Sequence, residues 1–369
     1  MRTRFAVFVG ILQSILFLAH WLLYETWASF LTPKHPQGLS AVLVGLAVLS
    51  ITFVPASFLA WRYHHPVVRA FYTTAAVWLG ILTLLSIASV LCWAIYTPVV
   101  LLEIRLNMHV FATVLFSAAA AVGIYGIVNA ARVRVRPVKV HLPNLPESWR
   151  GRVAALVTDL HLGPIHGHCF VRRLVAQLKG LRPDILFIAG DLYDGTAADV
   201  DGLTQPLAGL SLPFGAYFVA GNHEQFRDGR RYFDVVQKHG LRVLDNEKVT
   251  VDGLQIVGVH YGDSTNSERF RSILRTAALD PNRSSILLTH APDRPWVADE
   301  AGISLQLSGH THGGQFFPFT WFASRMYGRF VHGLQRLGNL LVYTSCGAGT
   351  WGPPLRLGTK PEIVLIQFA

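Results

Sequence analysis

The segment LSGHTHGGQ, residues 307–315, places His310 and His312 one residue apart between glycines. Side chains at i and i+2 share one face of a regular strand, but the flanking glycines favour a loop, in which the two imidazoles can point in different directions. Two neutral imidazoles on such a loop suggest metal ligands. A polar loop tip is the simpler interpretation unless other parts of the chain also supply ligands.

Further Asp, Asn and His residues follow short apolar runs that predict buried strands. In chain order they are Asp159 and His161 in TDLHLG, Asp191 and Asp194 in GDLYDG, Asn222 and His223 in GNHE, and His290 in LTHAP. Segments with helical spacing, such as CFVRRLVAQLKGLRPD, alternate with these runs and predict an α/β domain. Because active residues in open α/β sheets collect just beyond the strand ends, we expect these side chains to lie together.

This set of side chains fits two divalent cations. Mn²⁺, Fe²⁺ and Zn²⁺ accept imidazole nitrogen and carboxylate or amide oxygen, whereas the three cysteines have no spacing that predicts a thiolate site or a disulfide framework. Hydrolysis by two metals needs a shared anionic ligand, a hydroxide made acidic by the metals, and a group that neutralises the leaving oxygen. The polar residues named above can supply all three.

The blocks DxH, GDxxD, GNHE, a lone His and GHxH, in this order, resemble the signature of the calcineurin-like metallophosphoesterase superfamily. LPESWRGRVAALVTDLHLGP, GHTHGGQFFPF and GAGTWGPPLRLGTKPEIVLI further resemble the YkuE/YaeI-like group of membrane-associated bacterial members. The resemblance covers residues 131–369. It implies a four-layer α/β-β/α sandwich and a metal-dependent phosphoric ester hydrolase, in which a metal-activated hydroxide attacks phosphorus.

The resemblance also implies a role for each residue. One metal would be held by Asp159, His161, Asp191 and His312, and the other by Asp191, Asn222, His290 and His310, with Asp191 as the bridge. His223 would contact the phosphoryl oxygen or protonate the leaving group, and Asp194 would orient and charge it. The metals would be Mn, Fe or Zn.

Some of these residues have simpler interpretations. Asp194 could cap the following helix, and His290 could be a core histidine with satisfied hydrogen bonds. His166 and His168, just after the first block, could contact the substrate, but we interpret them as residues of a solvated loop.

The first 130 residues differ sharply from the rest, since they contain only eight charged side chains in a chain whose mean hydropathy is +0.37. Four apolar stretches, at 5–24, 39–61, 72–96 and 108–129, are each long enough to cross a bilayer core of about 30 Å as a helix. We therefore predict a transmembrane domain over 1–130. The alternating run VRVRPVKVHL predicts a basic edge strand and linker over 131–152, and the catalytic domain would cover 153–369.

Lys and Arg near the ends of these stretches predict the orientation. Eight of these basic residues lie on the side of the N-terminus, and two, Lys34 and Arg105, lie on the other side. Because the side richer in Lys and Arg faces the cytoplasm, we predict that both the N-terminus and the catalytic domain are cytoplasmic, at a bacterial inner membrane. The net charge of +10 lies mainly in these flanks, because residues 153–369 contain 20 Lys and Arg against 19 Asp and Glu. We therefore expect no nucleic-acid partner.

The segment FFPFTWFASRMYGRF, residues 316–330, has seven aromatic residues together with Arg325 and Arg329. It could be a buried core segment or a surface that lies at the membrane interface. The second interpretation suggests a lipid-linked phosphodiester or pyrophosphate substrate such as UDP-2,3-diacylglucosamine, which enzymes of the superfamily cleave. A soluble nucleotide, a broad-range phosphodiester activity and a phosphoprotein are the other candidates. The alternative to an enzyme is a catalytically inactive membrane sensor or scaffold with a phosphoesterase fold.

Overall fold

The computed structural model describes residues 2–32, 36–226 and 229–369, so Lys34, which contributes to the predicted orientation, lies outside the described residues. The chain forms two compact units. One comprises Met1–Val128 with Gly352–Leu355, and the other comprises Asn129–Trp351 with Arg356–Ala369.

The N-terminal part of the chain is helical. It contains α1 (Arg2–Thr26), continued by a π-helical turn (Trp27–Leu31), then α2 (Pro36–Ser50), α3 (Phe53–Arg62), α4 (Pro66–Leu101) and α5 (Met108–Ala130). Four stretches are long and apolar enough to cross a membrane: Ala6–Leu31, Gly38–Arg62, Pro66–Leu101 and Met108–Ala130. The four long apolar helices expected from the sequence are therefore confirmed.

The third of these helices is longer than the predicted stretch 72–96. Pro66 occupies its first turn, where main-chain N–H groups have no acceptor within the helix, so the lack of a proline N–H costs no hydrogen bond. Nδ1 of His65 accepts the N–H of Val67 at 3.2 Å. The four helices bury side chains such as Leu23 and Leu82 among themselves while exposing others such as Phe8. An outer surface this apolar is suited to lipid rather than to water.

The C-terminal part contains two sheets, each six-stranded among the described residues. The first has the order β1 (Arg134–Val140), β12 (Glu362–Phe368), β2 (Val153–Val157), β3 (Ile185–Ala189), β4 (Ala216–Val219) and β5 (Arg242–Val243). The second has the order β10 (Gly333–Leu337), β11 (Leu340–Thr344), β9 (Leu305–Ser308), β8 (Ser285–Thr289), β7 (Leu254–Val259) and β6 (Glu247–Val251). The central strands of both sheets run parallel, as in β2 and β3, where Ala154 faces Ile185.

Helices cover the outer faces of the sheets. They are α6 (His168–Leu181), α7 (Val200–Thr204), α8 (Gly229–Lys238), α10 (Ser267–Thr276) and α11 (Pro295–Glu300). Two further helices, α9 (Tyr261–Ser264) and α12 (Phe319–Tyr327), contribute no residue to the hydrophobic cores. Alternate residues of the strands, such as Leu156 and Leu288, form a core between the sheets, while their neighbours, such as Val157 and Leu287, pack against α6–α8 and α10–α11. The predicted four-layer α/β-β/α sandwich is confirmed.

Candidate metal centre

The polar residues singled out in the sequence lie just beyond the carboxyl ends of five strands. Asp159 and His161 follow β2, Asp191 and Asp194 follow β3, Asn222 and His223 follow β4, His290 follows β8, and His310 and His312 follow β9. Each is buried or half-buried. Because parallel neighbours end at the same edge, and the two sheets pack face to face, these five strands bring residues more than 150 positions apart into contact.

The backbone is strained at these strand ends. Asp159, His161, Asp191, His310 and His312 all have positive φ, at 52°, 46°, 51°, 71° and 50°. Residues with a Cβ atom avoid this region, and each such conformation costs on the order of 1–3 kcal/mol. Five of them within one pocket are retained only because the surrounding contacts hold them, which is the usual condition of a functional site.

The first group of ligand atoms comprises Asp159, His161 and His312, whose atoms all lie within 4.8 Å of one another. Nε2 of His161 is 3.1 Å from Nε2 of His312, which in turn is 3.5 Å from Oδ1 of Asp159. Two nitrogens that are each about 2.1 Å from one cation at tetrahedral or octahedral angles lie about 3.0–3.4 Å apart. The separation of the two imidazoles therefore fits a shared metal.

The second group comprises Asp191, His290 and His310, also within 4.8 Å. Nε2 of His290 lies 3.2 Å from Oδ2 of Asp191, 3.0 Å from Oδ1 of Asn222 and 3.1 Å from Nδ1 of His310. The same Asp191 oxygen is 3.8 Å from Nε2 of His161, in the first group. Asp191 thus stands between the two groups, which is where a bridging carboxylate has to be.

Most of the imidazoles are held in the neutral form that binds metal. Burial lowers the pKa of His161 and His312 well below the usual value, and burial together with the charge of His290 lowers the pKa of His310 to about 3. His290 differs, because Asp191 outweighs the effect of burial and raises its pKa to about 10. A cation bound at this position would replace the proton on His290 as the partner of the Asp191 carboxylate.

The outer contacts of the ligands also fit a metal. Nδ1 of His161 is buried with no hydrogen-bond partner among the described residues, and Oδ1 of Asp194 lies 3.6 Å from it. A metal-binding histidine usually donates its second N–H to a carboxylate, and a small closing movement would complete that bond here. Burial raises the pKa of the Asp194 carboxyl well above its usual value.

His223 is oriented differently from the sequence-based expectation. Its Nδ1 donates to the main-chain carbonyl of Asp194 at 2.9 Å, so the carboxylate of Asp194 does not make this contact. The main-chain N–H of His223 donates to Oδ1 of Asp191, also at 2.9 Å. The cap of α7 is Asp199, whose side chain accepts the N–H of Gly202, so the helix-cap interpretation of Asp194 is not what the structure shows.

The structure identifies supporting residues that sequence reasoning missed. The buried carboxylate of Glu224 accepts the main-chain N–H groups of Asp191, Tyr193 and Gly221 at 3.0, 3.0 and 2.7 Å. Its position in the GNHE block was the one signal that could have pointed to it. Burial and the neighbouring charge of Asp191 raise the pKa of Glu224 to about 7.

Arg356 is a second residue that the sequence did not single out. It is fully buried and donates to the carbonyl oxygens of His312, Cys346 and Gly349 at 3.2, 2.7 and 2.6 Å. It therefore ties the loop that carries His312 to the segment after β11. No local pattern marks an arginine in PPLRLG as buried, so sequence reasoning had no signal for it.

His166 corrects one expectation directly. The sequence suggested a solvated loop, but the imidazole is buried, and Nε2 lies 2.9 Å from both the hydroxyl and the main-chain nitrogen of Thr350. Burial lowers the pKa of His166 to about 3, so it is neutral and accepts the Thr350 N–H. These hydrogen bonds connect the turn before α6 to the segment that precedes Trp351.

Comparison with known proteins agrees with this geometry. Residues 153–314 match the calcineurin-like phosphoesterase family. The chain is 32% identical over 260 residues to a metallophosphoesterase of Aquifex aeolicus, covering 68% of this chain and 97% of that protein. It is 32% identical over 268 residues to a transmembrane protein with metallophosphoesterase domain from Danio rerio, covering 67% and 60%. It is 28% identical over 234 residues to the metallophosphoesterase YkuE of Bacillus subtilis, covering 61% and 81%.

The chain therefore belongs to the calcineurin-like metallophosphoesterase family, as the order of its motifs predicted. It spans between 49% and 66% of the length of several other relatives.

Proposed function

We propose that this chain is a membrane-anchored phosphohydrolase with two metal ions, acting as a phosphodiesterase or pyrophosphatase. One observation carries the proposal. Asp191 lies within 3.2 Å of His290 and 3.8 Å of His161, so a single carboxylate joins two groups of buried metal-type ligands. Burying two groups of imidazoles and carboxylates against each other, with five strained residues, costs folding free energy. Bound metal ions would offset this cost.

Each motif residue has a place in this reaction. Asp159, His161, Asp191 and His312 would hold one ion, and Asp191, Asn222, His290 and His310 the other. Two bound divalent ions supply the activated water and neutralise charge on the phosphoryl oxygens. We propose Mn, Fe or Zn, because the ligands are nitrogen and hard oxygen.

His223 would act on the substrate directly. Its Nδ1 donates to a carbonyl oxygen, which leaves Nε2 as the atom that accepts or releases a proton. Nε2 lies 4.0 Å from Oδ2 of Asp191, beside the proposed ions but outside both ligand groups. From there it can contact a phosphoryl oxygen or protonate the leaving group. Asp194 supports this arrangement through its carbonyl, which accepts from His223, and its carboxyl group lies 3.6 Å from Nδ1 of His161.

Membrane anchoring is supported by the four helices long and apolar enough to cross a bilayer, and by the relative named as a transmembrane protein. We propose that these helices lie in a bacterial inner membrane with the catalytic domain in the cytoplasm, because basic residues flank one side of the helices eight to two. An enzyme held there meets substrates in the inner leaflet. We propose a lipid-linked phosphodiester or pyrophosphate, with UDP-2,3-diacylglucosamine as the specific candidate.

The test is hydrolysis of bis(p-nitrophenyl) phosphate by the purified full chain with added Mn²⁺. Asp191→Ala and His310→Ala should each abolish metal-dependent release, whereas His332→Ala, which changes an exposed histidine outside the site, should leave it unchanged. Equal release by all four proteins would refute the assignment. No metal-dependent release from the unmodified chain would favour an inactive sensor or scaffold. Hydrolysis of UDP-2,3-diacylglucosamine in vesicles then tests the substrate separately.

A further inference from the structure

The helix α12 follows the loop that carries His310 and His312, and none of its nine residues is buried. Five large apolar side chains on α12 and just before it are exposed: Phe317, Phe319, Trp321, Phe322 and Met326. We call these five residues the α12 patch. Trp321, Phe322 and Met326 are 53%, 53% and 73% exposed, so the buried-core interpretation of this segment is wrong.

The α12 patch is held in place from beneath. Phe316 is buried and its ring packs edge-on against Phe319, with 5.3 Å between centroids. The preceding Gln315 donates to the carbonyl of Trp351 at 3.0 Å and accepts the Trp351 N–H at 2.7 Å. The helix is therefore a fixed part of the domain surface. Phe319, Phe322 and Met326, at i, i+3 and i+7, project from one face of it.

The segment that carries the α12 patch bears only positive charge, and Asp293 from a neighbouring loop lies near Tyr327 at the end of the helix. No Asp or Glu occurs between Glu300 and Glu362. Arg325 lies over the ring of Trp321 at 5.9 Å and Arg329 over the ring of Phe330 at 4.9 Å. Neither arginine has an acidic partner in the described part of the chain. Aromatic rings with stacked, unpaired arginines suit an anionic lipid surface, where the rings enter the acyl boundary and the guanidinium groups bind phosphates.

The connection to α5 also keeps this domain close to a bilayer. The first strand of the domain begins at Arg134, immediately after α5 ends at Ala130, and α5 is one of the four helices long enough to span a membrane. A tether this short keeps the domain at high effective concentration beside the lipid. A soluble partner protein has no such advantage.

We propose that the α12 patch docks in the headgroup region of an anionic bilayer, the membrane that the N-terminal helices anchor. Tyr327, at the end of α12, has its ring 6.1 Å from the imidazole of His310. Docking therefore brings the rim of the candidate metal centre to the membrane surface. The inference rests on the proposed anchoring, and it makes no use of hydrolytic activity.

The test uses the full chain with Cys169→Ser, reconstituted in vesicles of phosphatidylcholine and phosphatidylglycerol. Phe322→Cys carries an NBD fluorophore, and Asn282→Cys, in an exposed loop of the same domain, carries the matched control. An interfacial helix buries its apolar face by about 5–10 Å, so lipid with a nitroxide near the carbonyl end of its chain should quench NBD at 322 strongly and at 282 weakly. Replacing the anionic lipid should lower the docked-to-undocked ratio by about fivefold for each arginine.

Equal quenching at the two positions would overturn the proposal. A blue shift at 322 without quenching by lipid would also overturn it, because it would show a second copy of the chain or another protein on the α12 patch. Extraction of the vesicles with alkaline carbonate reports the anchoring helices separately. The fluorescence needs neither metal nor turnover, so its failure would leave the phosphohydrolase assay unaffected.

Discussion

Replacing Gly221 with alanine should displace the carboxylate that joins the two ligand groups. A Cβ atom at residue 221 would overlap Oδ1 of Asp191 and lie 2.6 Å from the Asp191 main-chain nitrogen, although real Cβ atoms stay about 3.0 Å or more from such atoms. The main-chain nitrogen of Asp191 would have to withdraw by about 0.4 Å, and its carboxylate oxygen Oδ1, which is the nearer atom, by more than that. It cannot do so freely, because the Asp191 N–H donates to the buried Glu224 carboxylate at 3.0 Å.

The magnitude follows from this overlap. Overpacking of a buried site costs about 1–3 kcal/mol of folding free energy. A misplacement of about 1 Å can lower turnover about 10²-fold, so a displacement of the Asp191 carboxylate of this order should lower it by about 10- to 100-fold. Because the proposed assignment shares Asp191 between both ions, we also expect the bound metal to fall below two ions per chain.

Gly180→Ala is the matched control. Gly180 lies in α6 with nothing within 4 Å of a Cβ built there. Alanine in a helix should stabilise the protein by about 0.5–1 kcal/mol and leave turnover unchanged. Metal content by mass spectrometry, Mn²⁺-dependent hydrolysis of bis(p-nitrophenyl) phosphate and urea unfolding measure the three quantities. If Gly221→Ala retained two ions and turnover within about twofold of the Gly180→Ala protein, the steric argument would be refuted.

Three further perturbations have defined outcomes. His223→Asn should lower turnover by about 10²–10⁴-fold with metal content unchanged, as mass spectrometry and steady-state kinetics would show; loss of metal would instead place His223 among the ligands. EDTA should lower the thermal unfolding temperature and Mn²⁺ should restore it, because ions that bind only the folded state stabilise it by about 2.7 kcal/mol at a hundred times Kd; an unchanged melting curve would argue against bound ions. Trp149→Ala removes a fully buried indole that stacks on Phe214 at 4.6 Å and should cost about 3–5 kcal/mol in urea unfolding, whereas a cost below about 1 kcal/mol would contradict its place in the core.

Much of the fold and of the site can be predicted from local patterns. Short apolar runs that end in Asp, Asn or His correspond to β2, β3, β4, β8 and β9, and the four apolar stretches correspond to long helices. These features depend on periodicity within about 25 neighbouring residues and on the length a helix needs to cross a bilayer, so they can be seen without knowing what packs against them. The metal and catalytic roles of the individual residues stay predictions.

Other features depend on which distant segments become neighbours. Arg356 donates to a carbonyl 44 residues away, His166 contacts Thr350 across 184 residues, and Glu224 contacts Asp191 across 33. The order of strands brings these partners together, and nothing in the chemistry of a single segment specifies that order. The same holds for the segment 316–330, whose aromatic residues suit a core and an exposed surface equally well. Only the packed sandwich, whose core is complete without α12, leaves that helix outside.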